Sequence, residues 1–255
     1  MSRAGCQAAN LMDDRVSGRT DSRTGFQVMA KSIADGTVEV VWGRLDAELA
    51  ALGDLTQYLS DEERLRANRF VFERDRRRFI VGRARLRGLL AARLGVEPDA
   101  VEIAYGTRGK PALSPKHSDS SLCFNVSHCE DVAVYAFSDS RQIGVDIEAV
   151  RELRDADDVA ARFFSRGEHE TYLALDVRDR PLGFFNCWTR KEAFIKAIGD
   201  GLYHPLDSFD VSLVPGDPAR LLRVGTAPGE SCGWQLESFV PAPGFVAAVV
   251  IEDAI

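Results

Sequence analysis

The chain has 255 residues, 45% hydrophobic and 28% charged, which suits a globular protein with one large core or two smaller ones and argues against disorder. A formal net charge of −7 argues against a general nucleic-acid surface, and no apolar run approaches the roughly 18 residues of a membrane span. Five cysteines (Cys6, Cys123, Cys129, Cys187 and Cys232) are odd in number and scattered, with no C-x-x-C pair, so they read as free thiols of a reducing compartment rather than a disulfide or zinc framework.

Residues 1–36 are polar, mix both charge signs and lack apolar periodicity, which predicts a flexible extension. They also lack the apolar stretch of a secretory signal, so the expected location is the cytoplasm. Val38 to Trp42 reads as a first strand, and Ser60 with Glu63 three positions on is a capping box opening a helix. Between Arg64 and Arg93 stand 11 arginines in 30 positions, a basic run in an acidic protein that points either to a local anionic partner or to a solvated helix face. A long helix is predicted from Asp75 to Leu94, with Phe79, Leu86, Leu90 and Leu94 on one stripe and Gly95 as its stop. Strand-like segments follow at Val101–Tyr105, Leu122–Val126, Val132–Phe137 and Ile143–Val150, with a turn-rich loop from Gly106 to Lys116. Later come a helical region from Asp155 to Leu175, a strong helix from Leu182 to Ile198, and strands near Phe209–Leu213, Trp234–Phe239 and Phe245–Ile251. Helices and antiparallel-type strands in both halves predict an α+β fold.

Three constellations could carry chemistry. In Gly144-Val145-Asp146-Ile147-Glu148, strand alternation sends Val145 and Ile147 to one face and both carboxylates to the other. That pair fits an acidic solvent face, or hard oxygen ligands for magnesium alongside phosphate oxygens and water. In Trp188-Thr189-Arg190-Lys191-Glu192-Ala193-Phe194-Ile195-Lys196, the residues Trp188, Glu192 and Lys196 share a helical stripe, either as a surface ion pair or as one wall of a cleft. The third joins Ser127-His128 at a strand end with Gly109-Lys110-Pro111, a lysine held between glycine and proline; both could present cations and N–H groups to phosphate. The chain has no P-loop, no Gly-x-Gly-x-x-Gly and no nucleophile elbow. A nucleic-acid-binding arginine helix and a magnesium-dependent enzyme acting on nucleotides remain open on these residues alone.

Taken in order, Gly109-Lys110-Pro111, Phe124-Asn125-Val126-Ser127-His128, Gly144 to Glu148 and Trp188 to Lys196 resemble the Sfp-like 4′-phosphopantetheinyl transferases. The resemblance covers about Val38 to Ile251. It implies two similar α+β halves packed as a pseudo-dimer, 37–140 and 141–255, with coenzyme A in the cleft between them. Asp146, Glu148 and Glu192 would correspond to the magnesium-site carboxylates, with Glu192 also a candidate base and Lys196 a catalytic cation. Lys191 and Lys196 would face the pyrophosphate, Ser127 and His128 the phosphates, and Lys110-Pro111 the adenine nucleotide. Arg66, with Arg77 or Arg78, would meet the 3′-phosphate, although Glu63 stands where some relatives carry a basic residue. The implied reaction moves phosphopantetheine from coenzyme A to a serine of an apo acyl or peptidyl carrier protein and releases 3′,5′-ADP. A monomer serving secondary metabolism is the expected setting, with neither nucleic acid nor membrane as partner.

Overall fold

The computed structural model describes residues 17–20, 27–33, 38–46, 49–224 and 233–253. Strands β1 (Ser17–Thr20), β2 (Gln27–Ile33) and β3 (Val38–Arg44) lead into helices α1 (Leu49–Thr56), α2 (Asp61–Ala67) and α3 (Glu73–Leu94). The short pair β4 (Ile103–Tyr105) and β5 (Pro111–Leu113) precedes β6 (Leu122–Cys129), β7 (Val132–Asp139) and β8 (Ile143–Ala149). Helices α4 (Ala156–Phe163), α5 (Arg166–Ala174) and α6 (Arg180–Ile198) follow, then β9 (Phe209–Val211), β10 (Leu221–Val224), β11 (Trp234–Phe239) and β12 (Phe245–Glu252).

Two antiparallel sheets organise these elements, one in the order β1-β2-β3-β7-β6 and the other β11-β12-β8. Alternation along β7 explains how they stack. Val132, Val134 and Ala136 join Ile143, Val145 and Ile147 of β8 in a core between the sheets. Ala133, Tyr135 and Phe137 point the other way and pack with Leu86 and Leu90 of α3. On the far side, Ala248 and Val250 of β12 pack with Phe194 of α6. The layers therefore run helix, sheet, sheet, helix, and each half is an α+β unit backed onto the other as a pseudo-dimer.

The local signals act as expected at several ends. Ser60 and Glu63 exchange capping hydrogen bonds of 3.0 and 3.2 Å at the start of α2, and Gly95 ends α3 at φ 69°. Other expectations gain detail. The helical region from Asp155 to Leu175 is two helices, because Phe164 is extended and Ser165 with Glu168 opens a second capping box. The turn-rich loop contains β5, paired with β4. Within the expected flexible extension, β1 and β2 form a hairpin whose second strand pairs with β3, which offers it an open edge; the rest of residues 1–36 lies outside the described residues. Among the described residues, no helix is long and apolar enough to cross a membrane.

Candidate active site

The site begins with a close approach. Gly144 is the second residue of β8, and a Cβ there would lie 2.1 Å from the Ala193 carbonyl oxygen and 2.2 Å from the Ala197 amide nitrogen. Glycine and the two alanines, four residues apart on one helix face, let the backbone of α6 rest directly on β8. Asp146 and Glu148 share the Gly144 face by alternation, so both look toward α6, where Glu192 and Lys196 flank the contact.

Asp146 is 5% exposed, and its two carboxylate oxygens are treated differently. Oδ1 accepts from Lys196 Nζ at 2.6 Å and from Ser127 Oγ at 2.8 Å, while Lys196 Nζ also donates to Ser127 Oγ at 2.9 Å. Among the described residues, Oδ2 is buried without a hydrogen-bond partner. Ser127 comes from β6, in the other half of the molecule. Its strand is held against β8 by Asn125, whose Oδ1 accepts from the Val145 amide at 3.0 Å. Glu148 Oε2 accepts from Cys129 Sγ at 3.5 Å and stands 3.5 Å from Arg151.

Burial pushes the Glu148 carboxyl above the ordinary carboxylate range, and neighbouring Asp146 adds to the rise. Glu192 is raised in the same way by burial and then by Asp146, with Glu148 contributing further and Lys196 opposing. The three carboxylates therefore form one electrostatic cluster with more negative charge than its cations balance. Among the described residues, no three acidic, histidine or cysteine side chains already stand close enough to ligate a single ion. A magnesium ion usually takes only one or two carboxylates and fills its shell with phosphate oxygens and water, so the orphaned Oδ2 and the excess charge fit it.

Beside this cluster lies a groove of about 1100 Å³ on the N-terminal half. Its basic wall is Arg66, Arg74, Arg78 and Arg83, its apolar surfaces include Phe70 and Phe79, and His128 and Cys129 stand at the β6 end. Arg66 lies 5.2 Å over the Phe79 ring, and Arg78 is 3.2 Å from Asp46. His128 is held below its ordinary value, first by partial burial and then by the cations of Lys196 and Arg78. Pro111 and Tyr105 also line the groove. The resemblance implies a ligand cleft between the halves, whereas this groove is walled by one half and meets the acidic cluster through His128 and Cys129. Ser127 lies beneath it, in the Asp146 network.

Two lysines depart from expectation. Lys191 is 1% exposed, and its ammonium donates to the carbonyls of Leu206 and Phe209 at 2.6 and 2.7 Å and pairs with Glu168 at 2.8 Å. It is locked inside the C-terminal half and does not face a diphosphate. Helical geometry gives the reason: Lys191 sits about 140° around α6 from Lys196. Lys110 donates to the Ala197 carbonyl at 2.7 Å and to Gln142 at 3.1 Å, so it ties its loop to the end of α6 while Pro111 alone meets the groove. Burial pushes Lys110 down to about 8.

Glu63 and Arg77 also have structural uses. Glu63 is buried and pairs with Arg83 and Arg87, fastening α2 to α3. Arg77 pairs with Glu73 at 3.7 Å, and Arg78 rather than Arg77 reaches the groove. Trp188 stacks on Phe184 and meets Phe163 edge-on at the margin of the C-terminal core. Arg74, Arg83, Phe70 and Tyr105 also line the groove, and nothing in the sequence distinguishes groove arginines from their neighbours in the run.

Residues 142–250 match the family described as the 4′-phosphopantetheinyl transferase superfamily, and residues 42–140 match the 4′-phosphopantetheinyl transferase N-terminal family. The chain is 42% identical to 4′-phosphopantetheinyl transferase HetI of Nostoc sp. over 81% of this chain and 84% of the relative. It is 34% identical to 4′-phosphopantetheinyl transferase Sfp of Bacillus subtilis over 61% and 67% of the two chains. It is also 32% identical to the L-aminoadipate-semialdehyde dehydrogenase-phosphopantetheinyl transferase of Homo sapiens, over 62% and 53%. With its motifs in order on two α+β halves and matches along both, the chain belongs to the 4′-phosphopantetheinyl transferase superfamily, enzymes that transfer phosphopantetheine to carrier proteins.

Proposed function

We propose that this transferase holds coenzyme A with its nucleotide in the basic groove and its diphosphate toward Asp146, Glu148 and Glu192, with Mg²⁺ as its metal. The observation that carries the reading is the buried Asp146, with one carboxylate oxygen engaged and the other orphaned, beside two carboxyls raised by burial and then by its charge. Asp146, Glu148 and Glu192 would hold the ion, which when bound offsets diphosphate charge that would otherwise repel an incoming oxygen. Arg66, Arg78 and His128 bind the 3′-phosphate end, with Arg74 and Arg83 beside them, and Pro111 packs near the base.

The carrier serine oxygen forms a bond to the β-phosphorus while the bond from that phosphorus to the bridging oxygen of 3′,5′-ADP breaks. Glu192 takes the serine proton, directly or through one water. Lys196 stabilises the departing phosphate oxygen. Positioning and charge neutralisation supply the catalysis, as in other phosphoryl transfers. Because the nucleophile arrives on the partner, the enzyme needs no activated serine or cysteine of its own. The halves 37–140 and 141–255 both furnish site residues, which supports action as a monomer. Cytoplasmic carriers of fatty-acid, polyketide or nonribosomal-peptide type are the proposed partners.

Incubation with coenzyme A, Mg²⁺ and a panel of apo carriers, read by intact mass, tests the reading. Wild-type protein should add phosphopantetheine, and Asp146→Asn should lose at least roughly 10²-fold in rate. Near-normal turnover by that variant would remove Asp146 from the site.

A further inference from the structure

Asp146 and Lys196 form a closed pair. One carboxylate oxygen carries two donors, Lys196 Nζ and Ser127 Oγ, while the other carries none. Lys196 is also the cation that opposes the raised carboxyl of Glu192. The pairing is asymmetric in mobility, since the Asp146 side chain is 8% exposed and that of Lys196 is 29% exposed on a flexible four-carbon stem. Lys196 also donates to Ser127 at 2.9 Å, and the next residue of that strand, His128, lines the groove end. The ammonium thus lies between the anion it already holds, the Asp146 carboxylate, and the basic groove that would receive another.

A divalent cation and an ammonium repel each other across one carboxylate. We propose that Lys196 is the resident counter-ion of Asp146 in the metal-free enzyme and makes metal binding conditional on a diphosphate. When the diphosphate of coenzyme A enters, it offers the ammonium another anion, Lys196 leaves Oδ1, and Asp146 becomes free for the ion. Without it, the ion must break a hydrogen-bonded charge pair whose carboxylate is buried. By linkage, the same coupling makes coenzyme A bind more tightly when the metal is present. This inference rests on the magnesium reading of the site and assigns Lys196 a role before chemistry begins.

The test measures Mn²⁺ binding by the electron paramagnetic resonance of the free ion, with no carrier protein present and coenzyme A alone as a blank. Wild-type enzyme should bind Mn²⁺ weakly when free and tightly with coenzyme A. Lys196→Met should bind Mn²⁺ at least roughly tenfold more tightly than wild type in the free state, and Lys196→Arg, which keeps the cation, should remain weak. Thermal melts of each variant establish that it is folded. Equal free-state affinities in wild type and Lys196→Met, with Mn²⁺ still taken up alongside coenzyme A, would overturn the counter-ion role and leave the metal reading intact. Absence of Mn²⁺ binding by wild type in both states would overturn the metal reading itself. A gain that survives in the Asp146→Asn/Lys196→Met double variant would place the ion elsewhere and also overturn the proposal.

Discussion

His128 stands at the β6 end of the groove, and partial burial with two nearby cations keeps its imidazole neutral more readily than an ordinary histidine. A phosphate arriving there reverses the local charge and favours the protonated ring. His128→Ala should therefore lower kcat/KM for coenzyme A by roughly tenfold, the loss of one charge-assisted hydrogen bond. Use of 3′-dephospho-coenzyme A should fall much less; equal losses with both substrates would show that His128 does not read the 3′-phosphate. At this scale the sequence was legible where geometry is simple. Strand alternation alone put Asp146 and Glu148 together, and a four-residue step put Glu192 and Lys196 on one side of their helix. It was illegible where adjacency misleads: Lys191 neighbours Glu192 in sequence yet turns into the opposite core. Nor does composition tell a groove arginine from one spent on an internal carboxylate, and Arg87 is of the second kind.

Among the elements, α6 depends on the one residue that lets it touch β8. Gly144→Ala would drive a methyl into the Ala193 carbonyl and the Ala197 amide, neither of which yields as a side-chain end would. The helix must lift, at a cost of about 3 kcal/mol, and Glu192 and Lys196 move with it. Transfer activity should fall by at least roughly 10²-fold, since small misplacements weigh heavily on oriented groups. A variant with wild-type melting temperature and turnover would contradict the close approach.

The tie between α2 and α3 makes a second case. Burial opposes ionisation of Glu63, but Arg83, the Ser60 amide and Arg87 outweigh it and hold the carboxyl below its ordinary 4.5. A depressed carboxyl contributes stability that is complete above pH 4.5 and is lost as pH falls through the folded value. Glu63→Gln should cost about 3 kcal/mol at pH 7, because two partly buried guanidinium groups lose their anion. The gap from wild type should close in acid, as urea titrations at the two pH values would reveal. The capping box that opens α2 was readable from Ser60 and Glu63. Its second duty was not, because Arg83 and Arg87 lie some twenty residues on and only the folded chain brings them in.

For the whole molecule, the central core belongs to neither half, since Val134 and Trp42 from one sheet pack with Val145 and Val249 from the other. Separating the halves would expose that entire face. Unfolding should therefore be a single transition with matching calorimetric and van't Hoff enthalpies; two resolved transitions would show that the halves are independently stable. The sequence disclosed both α+β units through their periodicities, but not that the apolar faces of β7 and β8 meet across the middle. Period-two patterns say which side chains share a face and never name the surface opposite.

Strands β6 and β8 lie side by side where the two sheets meet. Among the described residues each is the last strand of its sheet, so each ends in a row of backbone groups that a foreign strand could seize. The two rows turn toward each other, and the Asn125 amide already occupies the Val145 N–H that an intruder would need. Chemistry and colloidal safety thus share one seam. A lesion that prises it open costs the enzyme its catalytic alignment and, in the same movement, bares two sticky borders to every other copy in solution.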